Sequence, residues 1–400
     1  MSVGRVLFLS ESQGWSGGAK QLLRLAEGLR VLGWDVRIAC PGDGELFRRA
    51  RASGFEPVDL HPRQDYDVLS AVRVARLMEK ERVDLLHAHH PRAHAVGLMA
   101  AYLCRRAVRF LVTRRVSFPP GKNPFSRFKY ASRRIDAFVA VAESIRQDLI
   151  AAGVEPERVH TVRSGVDLEL FHPLPRDERF ARELGLPADV PLIGKVANYS
   201  AWKGQDVALQ AAARLKRDGR RALFVFAGRD TDSPELRAKA EALGLGPSDV
   251  RFLGFVTEVP RLLSLLAVSV NSAREGEGIS GALRESLAMG VPCVASDVGG
   301  NRELIEDGVT GRVFPGGSGD GLAAAIAALL GDPAGAAKLA EAGRLRVQER
   351  LGLERVVAQI DGLYRALLAA RSSLRAEPSA SHAASTEMSR QDSQEAETTL

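Results

Sequence analysis

The alternation of short β-type runs with helical patterns limits the fold of this chain more than any other feature. Runs such as Val6–Ser10, Asp35–Cys40 and Ala137–Val141 alternate with amphipathic segments such as Ala19–Leu32, and the pattern starts again at Pro191–Ala197. Repeated strand–helix–strand units predict a parallel sheet with helices on both faces. The chain has 400 residues, more than one ordinary core holds. We therefore predict an α/β protein with two Rossmann-like, doubly wound domains that face a cleft.

Composition places the domain boundaries. The two series of alternating strands and helices are separated at Phe171–Pro175. The segment Val356–Leu368 has the apolar spacing of a final amphipathic helix. The remaining residues lack aromatic side chains and are rich in Ser, Ala, Glu and Thr, which is typical of disorder. The predicted units are an N-terminal domain over 1–172, a C-terminal domain over 173–352, a helix over 353–371 and a disordered tail over 372–400.

Cysteine usage and hydropathy indicate the compartment. The three cysteines, Cys40, Cys104 and Cys293, are scattered and match no metal spacing, which favours a reducing cytoplasm. The first apolar run is too short for a signal peptide, and no run approaches the ~18 apolar residues of a membrane span. We expect a cytoplasmic protein that does not cross the membrane.

The segment from Glu277 to Glu285 says most about chemistry, because it places two carboxylates on either side of a glycine-containing turn that opens a helix. Backbone N–H groups between Gly278 and Gly281 would attract a phosphate at this helix N-terminus. Carboxylates repel phosphate and accept hydrogen bonds from hydroxyl groups. Phosphate flanked by hydroxyls describes a nucleotide sugar, and Lys203 supplies a cation for its diphosphate.

A strongly basic segment lies in the N-terminal half. Between Arg105 and Arg134 there are ten Lys or Arg and no Asp or Glu, with aromatic residues interleaved. Such a segment can contact anionic lipid or nucleic acid, or form a solvated basic face. No recognition motif accompanies it, so nucleic acid is not expected as a partner. The residues assigned to a membrane or acceptor surface are Arg114, Arg115, Lys122, Arg127, Lys129, Arg133 and Arg134.

Several short motifs, in this order and at these spacings, resemble one family. They are Gly17-Gly18, His87-Ala-His89, Ser164-Gly-Val-Asp167, Lys203-Gly204, Glu277 to Glu285, and Ala295 to Glu303. The chain resembles the retaining glycosyltransferases of the "group 1" family (glycosyltransferase family four) over roughly residues 4–370. The resemblance implies the two-domain GT-B fold, with the C-terminal helix crossing back to the N-terminal domain.

The resemblance also implies a site and a reaction. A nucleotide-sugar co-substrate would give its sugar to a glycan or glycolipid hydroxyl with retention and without a metal or other cofactor, and the acceptor is expected at the inner face of the membrane. The histidine at the reacting centre is His89 or His87, and His89 is preferred because it follows the strand. The catalytic set is then His89, Lys203 and Glu277. The donor-binding set is Gly17, Gly18, Asn198, Lys203, Glu277, Gly278, Ile279, Ser280, Gly281 and Glu285.

Two departures from the family pattern bear on the donor site. Relatives commonly carry an arginine five or six residues before the lysine, where this chain has Asn198 and Ala197. Lys195, in the preceding strand, is a candidate for the missing charge. Where the family usually has the motif Glu-Gly-Phe-Gly, this chain has Glu277-Gly-Ile-Ser280. The Ser280 hydroxyl could still donate a hydrogen bond to phosphate.

Three alternatives to this interpretation were considered. The cluster His87, His89, His90 and His94 resembles a metal site, but no acidic or cysteine partner lies at suitable spacing, so a metal is not expected. A nucleotide-sugar epimerase of similar architecture would need the donor site without an acceptor. A non-catalytic module that binds nucleotide sugar or lipid is the third alternative.

Overall fold

The computed structural model describes residues 2–117 and 124–376 of the chain. These residues contain two larger parallel sheets with helices packed on them, and the predicted α/β class is confirmed. Strand residues Val6, Leu7, Phe8 and Leu9 are all 0% exposed. Because parallel strands are covered on both faces, such strands appear in the sequence as continuous apolar runs.

The first sheet is built from the N-terminal half. Among the described residues its strand order is β3-β2-β1-β4-β5-β7-β8, and all its pairings are parallel. The elements of this half are β1 (Arg5–Leu9), α1 (Gly17–Val31), β2 (Asp35–Cys40), α2 (Glu45–Ala52), β3 (Val58–Asp59), α3 (Val68–Lys80), β4 (Leu85–Ala88), α4 (Pro91–Leu103), β5 (Arg109–Arg114), β6 (Val116–Ser117), α5 (Pro124–Ala131), β7 (Ala137–Ala140), α6 (Glu143–Ala151) and β8 (Val159–Thr161).

The second sheet is built from the C-terminal half. Its order among the described residues is β11-β10-β9-β12-β14-β15, again with parallel pairings. The elements of this half are α7 (Glu178–Glu183), β9 (Leu192–Val196), α8 (Gln205–Arg217), β10 (Leu223–Ala227), α9 (Pro234–Ala242), β11 (Val250–Gly254), α10 (Val259–Leu263), β12 (Val268–Asn271), β13 (Gly276–Glu277), α11 (Gly281–Ala288), β14 (Cys293–Ser296), α12 (Asn301–Leu304), β15 (Arg312–Phe314), α13 (Gly319–Gly331), α14 (Pro333–Leu351) and α15 (Leu353–Ala376).

Helix α15 crosses back onto the N-terminal half, as expected. The Trp34 indole N–H donates to Asp361 Oδ1 at 2.7 Å, and the Tyr364 hydroxyl lies 2.5 Å from His87 Nδ1. The helix is described to Ala376, five residues beyond the predicted end of the helix at 371. The first proline after this point is Pro378, and a helix commonly ends before the residue that precedes a proline. Residues 377–400 lie outside the described residues.

No single helix in the described ranges is long and apolar enough to span a membrane. Helices α13 and α14 satisfy that criterion only when they are taken together. The chain bends by 105° between them.

Candidate active site

A small antiparallel ribbon joins the two halves at the cleft. Strand β13 pairs with β6 so that Gly276 faces Ser117 and Glu277 faces Val116. A side chain at Gly278 would overlap the carbonyl oxygen of Arg115, so this position requires glycine for close approach of the two backbones. The sequence pattern did not predict β6 or β13. The ribbon places Glu277 at the domain junction, directly before helix α11.

Lys203 reaches Glu277 from a turn that precedes helix α8. A 3₁₀ turn, Ala201–Lys203, ends at Gly204, and helix α8 begins only after it. Gly204 has φ +69°, and a side chain there would overlap the carbonyl oxygen of Ser272. The glycine therefore breaks the helix and leaves Lys203 at the edge of the second sheet, where open α/β sheets bind ligands.

The Glu277 carboxylate is buried and paired. Lys203 Nζ lies 2.8 Å from Glu277 Oε2, and Asn271 Nδ2 donates to the same oxygen at 3.3 Å. Burial raises the pKa of the Glu277 carboxyl, but Lys203, Asn271 and then Lys195 together outweigh it and hold this pKa below its usual value. The carboxylate is thus an ionised acceptor beside a cation, although Glu277 is only 5% exposed.

The second carboxylate of the motif is paired across the cleft. Lys20 Nζ, in the first turn of α1, lies 2.6 Å from Glu285 Oε1 in α11. The Lys20 ammonium also lies 4.6 Å from the centre of the Phe171 ring. Sequence analysis missed Lys20, because its partner is 265 residues away and nothing local distinguishes it from other lysines on an amphipathic helix.

The predicted donor-binding residues Gly17 and Gly18 are the first two residues of helix α1. The Ser16 hydroxyl caps this helix by accepting from the Ala19 backbone N–H at 3.2 Å. Gly17 faces open space, whereas a Cβ at Gly18 would lie 3.1 Å from His90 Nε2. His90 is a further residue that sequence analysis left unassigned, and its Nδ1 is 3.0 Å from Ser10 Oγ. Gly17 and Gly18 thus line the cleft beside a histidine.

The histidines after β4 form a buried cluster. His87 is fully enclosed, with Nε2 2.6 Å from Thr113 Oγ1 and Nδ1 against Tyr364. His89 stacks on His87 at 4.1 Å between ring centres. Burial lowers the pKa of His87 to about 3 and that of His89 well below its usual value, so both rings are neutral at pH 7.

His89 has one ring nitrogen available to a ligand. Its Nδ1 lies 3.4 Å from Arg115 Nη2, while its Nε2 is enclosed without a hydrogen-bond partner in the described part of the chain. Three or more His, Cys, Asp or Glu side chains do not come together as a metal-binding group within the described residues.

The remaining donor-site residues lie around the start of α11. Ser280 caps this helix, with its hydroxyl accepting from the Leu283 backbone N–H at 3.4 Å. Gly281 is the first residue of the helix, and Ile279 is buried. Asn198 carries no charge, and its Oδ1 accepts from the backbone N–H of Arg229 at 3.1 Å. Asn198 therefore shapes the loop after β9 instead of supplying the second cation.

Most of the basic segment does not form an exposed surface. Lys129 is 5% exposed, and its ammonium donates to the Pro91 carbonyl at 2.7 Å. Arg134 donates to carbonyl oxygens at the end of α4 and before β5. Arg114 contacts the Tyr130 hydroxyl, and Arg115 points into the cleft towards Ser164 at 3.1 Å.

The assignment of these four residues to a membrane surface is therefore corrected. Lys129 and Arg134 donate to carbonyl oxygens of the N-terminal half, whereas Arg114 and Arg115 contact hydroxyl groups there. Arg127 and Arg133 are exposed. Lys122 lies outside the described residues, and α5 itself was not predicted.

Other polar contacts connect the halves beside the site. Glu303 Oε1, from α12, accepts from the Glu143 backbone N–H at 2.6 Å and so caps helix α6 of the N-terminal half. The other oxygen of Glu303 pairs with Arg163 at 2.6 Å. Arg284 Nη1 donates to the Gly165 carbonyl at 2.9 Å. Ionised groups thus connect the two halves around the cleft, beside an apolar cluster that contains Val141 and Val166 of the first half and Ile279 and Leu283 of the second.

Two facing Rossmann-like domains, with ionised carboxylates and lysines at their junction, are the architecture of GT-B glycosyltransferases. Residues 176–346 match the family described as "Glycosyl transferases group 1", and residues 15–170 match "Glycosyltransferase Family 4". The chain belongs to this family, and it is a glycosyltransferase.

Individual relatives agree with this assignment. The chain is 31% identical over 294 residues to the lipopolysaccharide core biosynthesis mannosyltransferase LpcC of Rhizobium leguminosarum bv. viciae, covering 72% of this chain and 80% of that one. It is 32% identical over 360 residues to D-inositol 3-phosphate glycosyltransferase 1 of Catenulispora acidiphila, covering 82% of each. The fold is similar to that of Anabaena Alr3699/HepE, solved with UDP and glucose, with a TM-score of 0.80, 22% identity, and coverage of 91% of this chain and 100% of that chain.

Proposed function

We propose that this glycosyltransferase moves a sugar, with retention of anomeric configuration, from a nucleotide-sugar donor to a hydroxyl of a lipid-linked or lipopolysaccharide-type glycan. The observation that carries the donor assignment is the Lys203–Glu277 pair at the carboxyl edge of the second sheet, 2.8 Å apart and facing the other half. The pair combines a cation suited to phosphate with a carboxylate suited to sugar hydroxyls.

Each residue has a role in this proposal. As the bond from the anomeric carbon to the phosphate oxygen breaks, negative charge grows on the departing diphosphate, and Lys203 and the N-terminus of α11 stabilise it. Glu277 accepts hydrogen bonds from the donor sugar, and Glu285 from the ribose. The unpartnered Nε2 of His89 supports a polar ligand at the reacting centre. The acceptor attacks on the face that the diphosphate leaves, and a diphosphate oxygen takes its proton, so no metal is needed.

Thermal stabilisation by UDP-, GDP- and ADP-sugars tests the donor site. One nucleotide series should stabilise the wild type, and Lys203→Met and Glu285→Gln should lose that stabilisation. Lys338→Met removes an exposed lysine on α14 and is the matched control, which should respond like the wild type. Absence of any response in the wild type would refute the donor assignment.

Product analysis then tests the reaction. With the stabilising donor and a lipopolysaccharide-core or lipid-linked glycan acceptor, we expect free nucleoside diphosphate and a glycoside with the donor's anomeric configuration by NMR. Epimerised sugar nucleotide without transfer would instead identify an epimerase, and binding without turnover would identify a non-catalytic module.

An exposed aromatic surface around α5 supports docking at the cytoplasmic membrane face. Phe128 is 53% exposed and stacks at 6.3 Å on Tyr102, which is 56% exposed, and Tyr66 contacts Phe125 at 4.3 Å. Aromatic rings beside arginines suit the membrane interface, where each basic residue contributes about 1 kcal/mol near anionic lipid. The name of the LpcC relative supports a membrane-associated glycan acceptor.

Vesicle co-sedimentation tests this docking. The wild type should bind phosphatidylglycerol-containing vesicles more tightly than phosphatidylcholine vesicles. The double variant Arg127→Ser, Arg133→Ser should bind at least about ten-fold more weakly, because two interfacial charges are lost. Arg179→Ser removes an arginine with an 82% exposed side chain from α7, and it should leave binding unchanged. Equal binding by the double variant would exclude electrostatic docking.

A further inference from the structure

Lys195 is a buried lysine at the carboxyl end of β9, and it is only 1% exposed. Within the described residues, its ammonium group has neither a hydrogen-bond nor an ion-pair partner. Burial of an unpaired ammonium ion is unfavourable, and proteins retain such groups where they pair with a ligand or perform chemistry. Lys195 therefore requires a functional explanation.

The carboxylates near Lys195 are already neutralised. The charged groups that affect its ammonium are Lys203, Glu277 and Asp206. Glu277 is paired with Lys203 at 2.8 Å, and Asp206 is paired with Arg274. Three cations and two carboxylates leave a surplus of one positive charge, so the cluster as it stands lacks one anion.

An enclosed polar atom without a hydrogen-bond partner among the described residues lies close to Lys195 in the sequence. Gln205, the first residue of α8, is 1% exposed, and its amide nitrogen donates to the Asn198 carbonyl at 3.0 Å. Its Oε1 is enclosed without a hydrogen-bond partner in the described part of the chain. An unused cation and an unused acceptor, on the strand and helix that flank the Lys203 turn, are both features of a site built for a ligand.

We propose that Lys195 is a second cation for the donor diphosphate and that it acts together with Lys203. This inference rests on the proposed function. Lys195, a residue of strand β9, would supply the positive charge that Asn198 lacks. A diphosphate carries more than one negative charge, which two lysines balance better than one that is already paired with Glu277.

Binding of a diphosphate at Lys195 should be accompanied by proton uptake. Burial, and then Lys203, lower the pKa of Lys195 to about 7, against the opposing effect of Glu277 and Asp206. A lysine with its pKa lowered in this way is only partly protonated at neutral pH, and a bound diphosphate stabilises the charged form. Diphosphate binding should therefore take up protons at this group, whereas a nucleoside without phosphate should take up none.

Isothermal titration calorimetry at pH 7, in two buffers of different ionisation enthalpy, tests the proposal with UDP, GDP and ADP. For the nucleoside diphosphate that binds, we expect Lys195→Met to weaken binding at least about ten-fold, the cost of losing one buried charge pair. The proton uptake should disappear in the same variant. Lys338→Met, the matched loss of an exposed lysine, should match the wild type.

Thermal unfolding of the ligand-free proteins separates this role from a structural one. A lysine kept for ligand binding should leave Lys195→Met as stable as the wild type or more stable, because methionine fills the site without a charge. A lower melting temperature together with unchanged affinity would overturn the inference. If the wild type binds a nucleoside diphosphate and the variant binds it equally well, the inference fails while the proposed function stands. If the wild type binds none, both fail.

Discussion

Three enclosed histidines predict that this protein loses stability in mild acid. His87, His89 and His94 are 0%, 1% and 2% exposed, and burial lowers the pKa of each ring. Unfolded histidine has a pKa of about 6.5. Below that pH the unfolded chain binds protons that the native rings do not, so their contribution is fully present above about pH 6.5 and is lost as the pH falls. For His87 the loss continues to about pH 3.

The size of the effect follows from linkage. One pH unit below the unfolded pKa, each ring that stays neutral in the native state lowers the free energy of unfolding by about 1.4 kcal/mol. His90, whose pKa burial lowers to about 4, is a fourth such ring. Four rings give a loss of about 6 kcal/mol at pH 5.5, a large part of the roughly 5–15 kcal/mol that stabilises a typical domain. Native carboxylates titrate mainly below this range, so the interval from pH 7.5 to 5.5 reports chiefly on histidine.

Urea unfolding at pH 7.5 and 5.5, followed by far-UV circular dichroism at constant ionic strength, measures the loss. His94→Leu should reduce the difference between the two pH values by about a quarter, since one of the four rings is removed. His172→Gln, at an exposed position, should not change it. Equal stability at both pH values, or native-state NMR titration of these rings near pH 6.5, would refute the reasoning.

Three further perturbations test the contacts around the cleft. Tyr364→Phe should lower the free energy of unfolding by about 1–3 kcal/mol in urea, because it leaves a buried nitrogen of His87 unpaired; an unchanged value would contradict the hydrogen bond. Glu303→Ala removes the cap on Glu143 and should increase the radius of gyration measured by X-ray scattering if this contact holds the halves together. Gly278→Ala should abolish transfer while preserving the far-UV spectrum, because its methyl group separates the strands of the ribbon; full activity would exclude the close approach.

Sequence periodicity predicted the elements whose structure depends on neighbouring residues. Strand Asp35–Cys40 has the predicted bounds, and the predicted segments Val6–Ser10, Ala19–Leu32, Ala137–Val141 and Pro191–Ala197 differ from the observed elements by at most two residues at either end. The features that were not predicted correctly depend on contacts between residues that are distant in the sequence. Strand β6 exists because Val116 pairs with Glu277, far along the chain, and two residues give no periodic signal of their own. The basic segment was misjudged for a related reason, since the burial of Lys129 depends on a carbonyl at Pro91 that only the fold brings near.

The site itself was only partly accessible to sequence reasoning. The motif spacing identified Lys203 and Glu277 as residues of one site, and the structure places them in contact. The direction of the Lys195 side chain could not be read from sequence, because strand alternation assigns a face only when the sheet's neighbours are known. Lys20 required knowledge of how the two halves face each other, which no local pattern contains.

The chemistry of the contacts at the cleft explains how such a site can admit a donor. The halves meet there through a two-residue ribbon, the Lys20–Glu285 pair and the contacts of Glu303. Partly exposed ion pairs contribute about 0–1 kcal/mol each, far less than a buried apolar interface of similar extent. The polar contacts therefore hold the cleft only weakly, and the apolar cluster around Val166 and Ile279 and the packing of α15 on the first half keep the two halves together. In the donor complex proposed above, a ribose hydroxyl would share or replace the contact between Lys20 and Glu285, which would couple donor binding to this link between the halves.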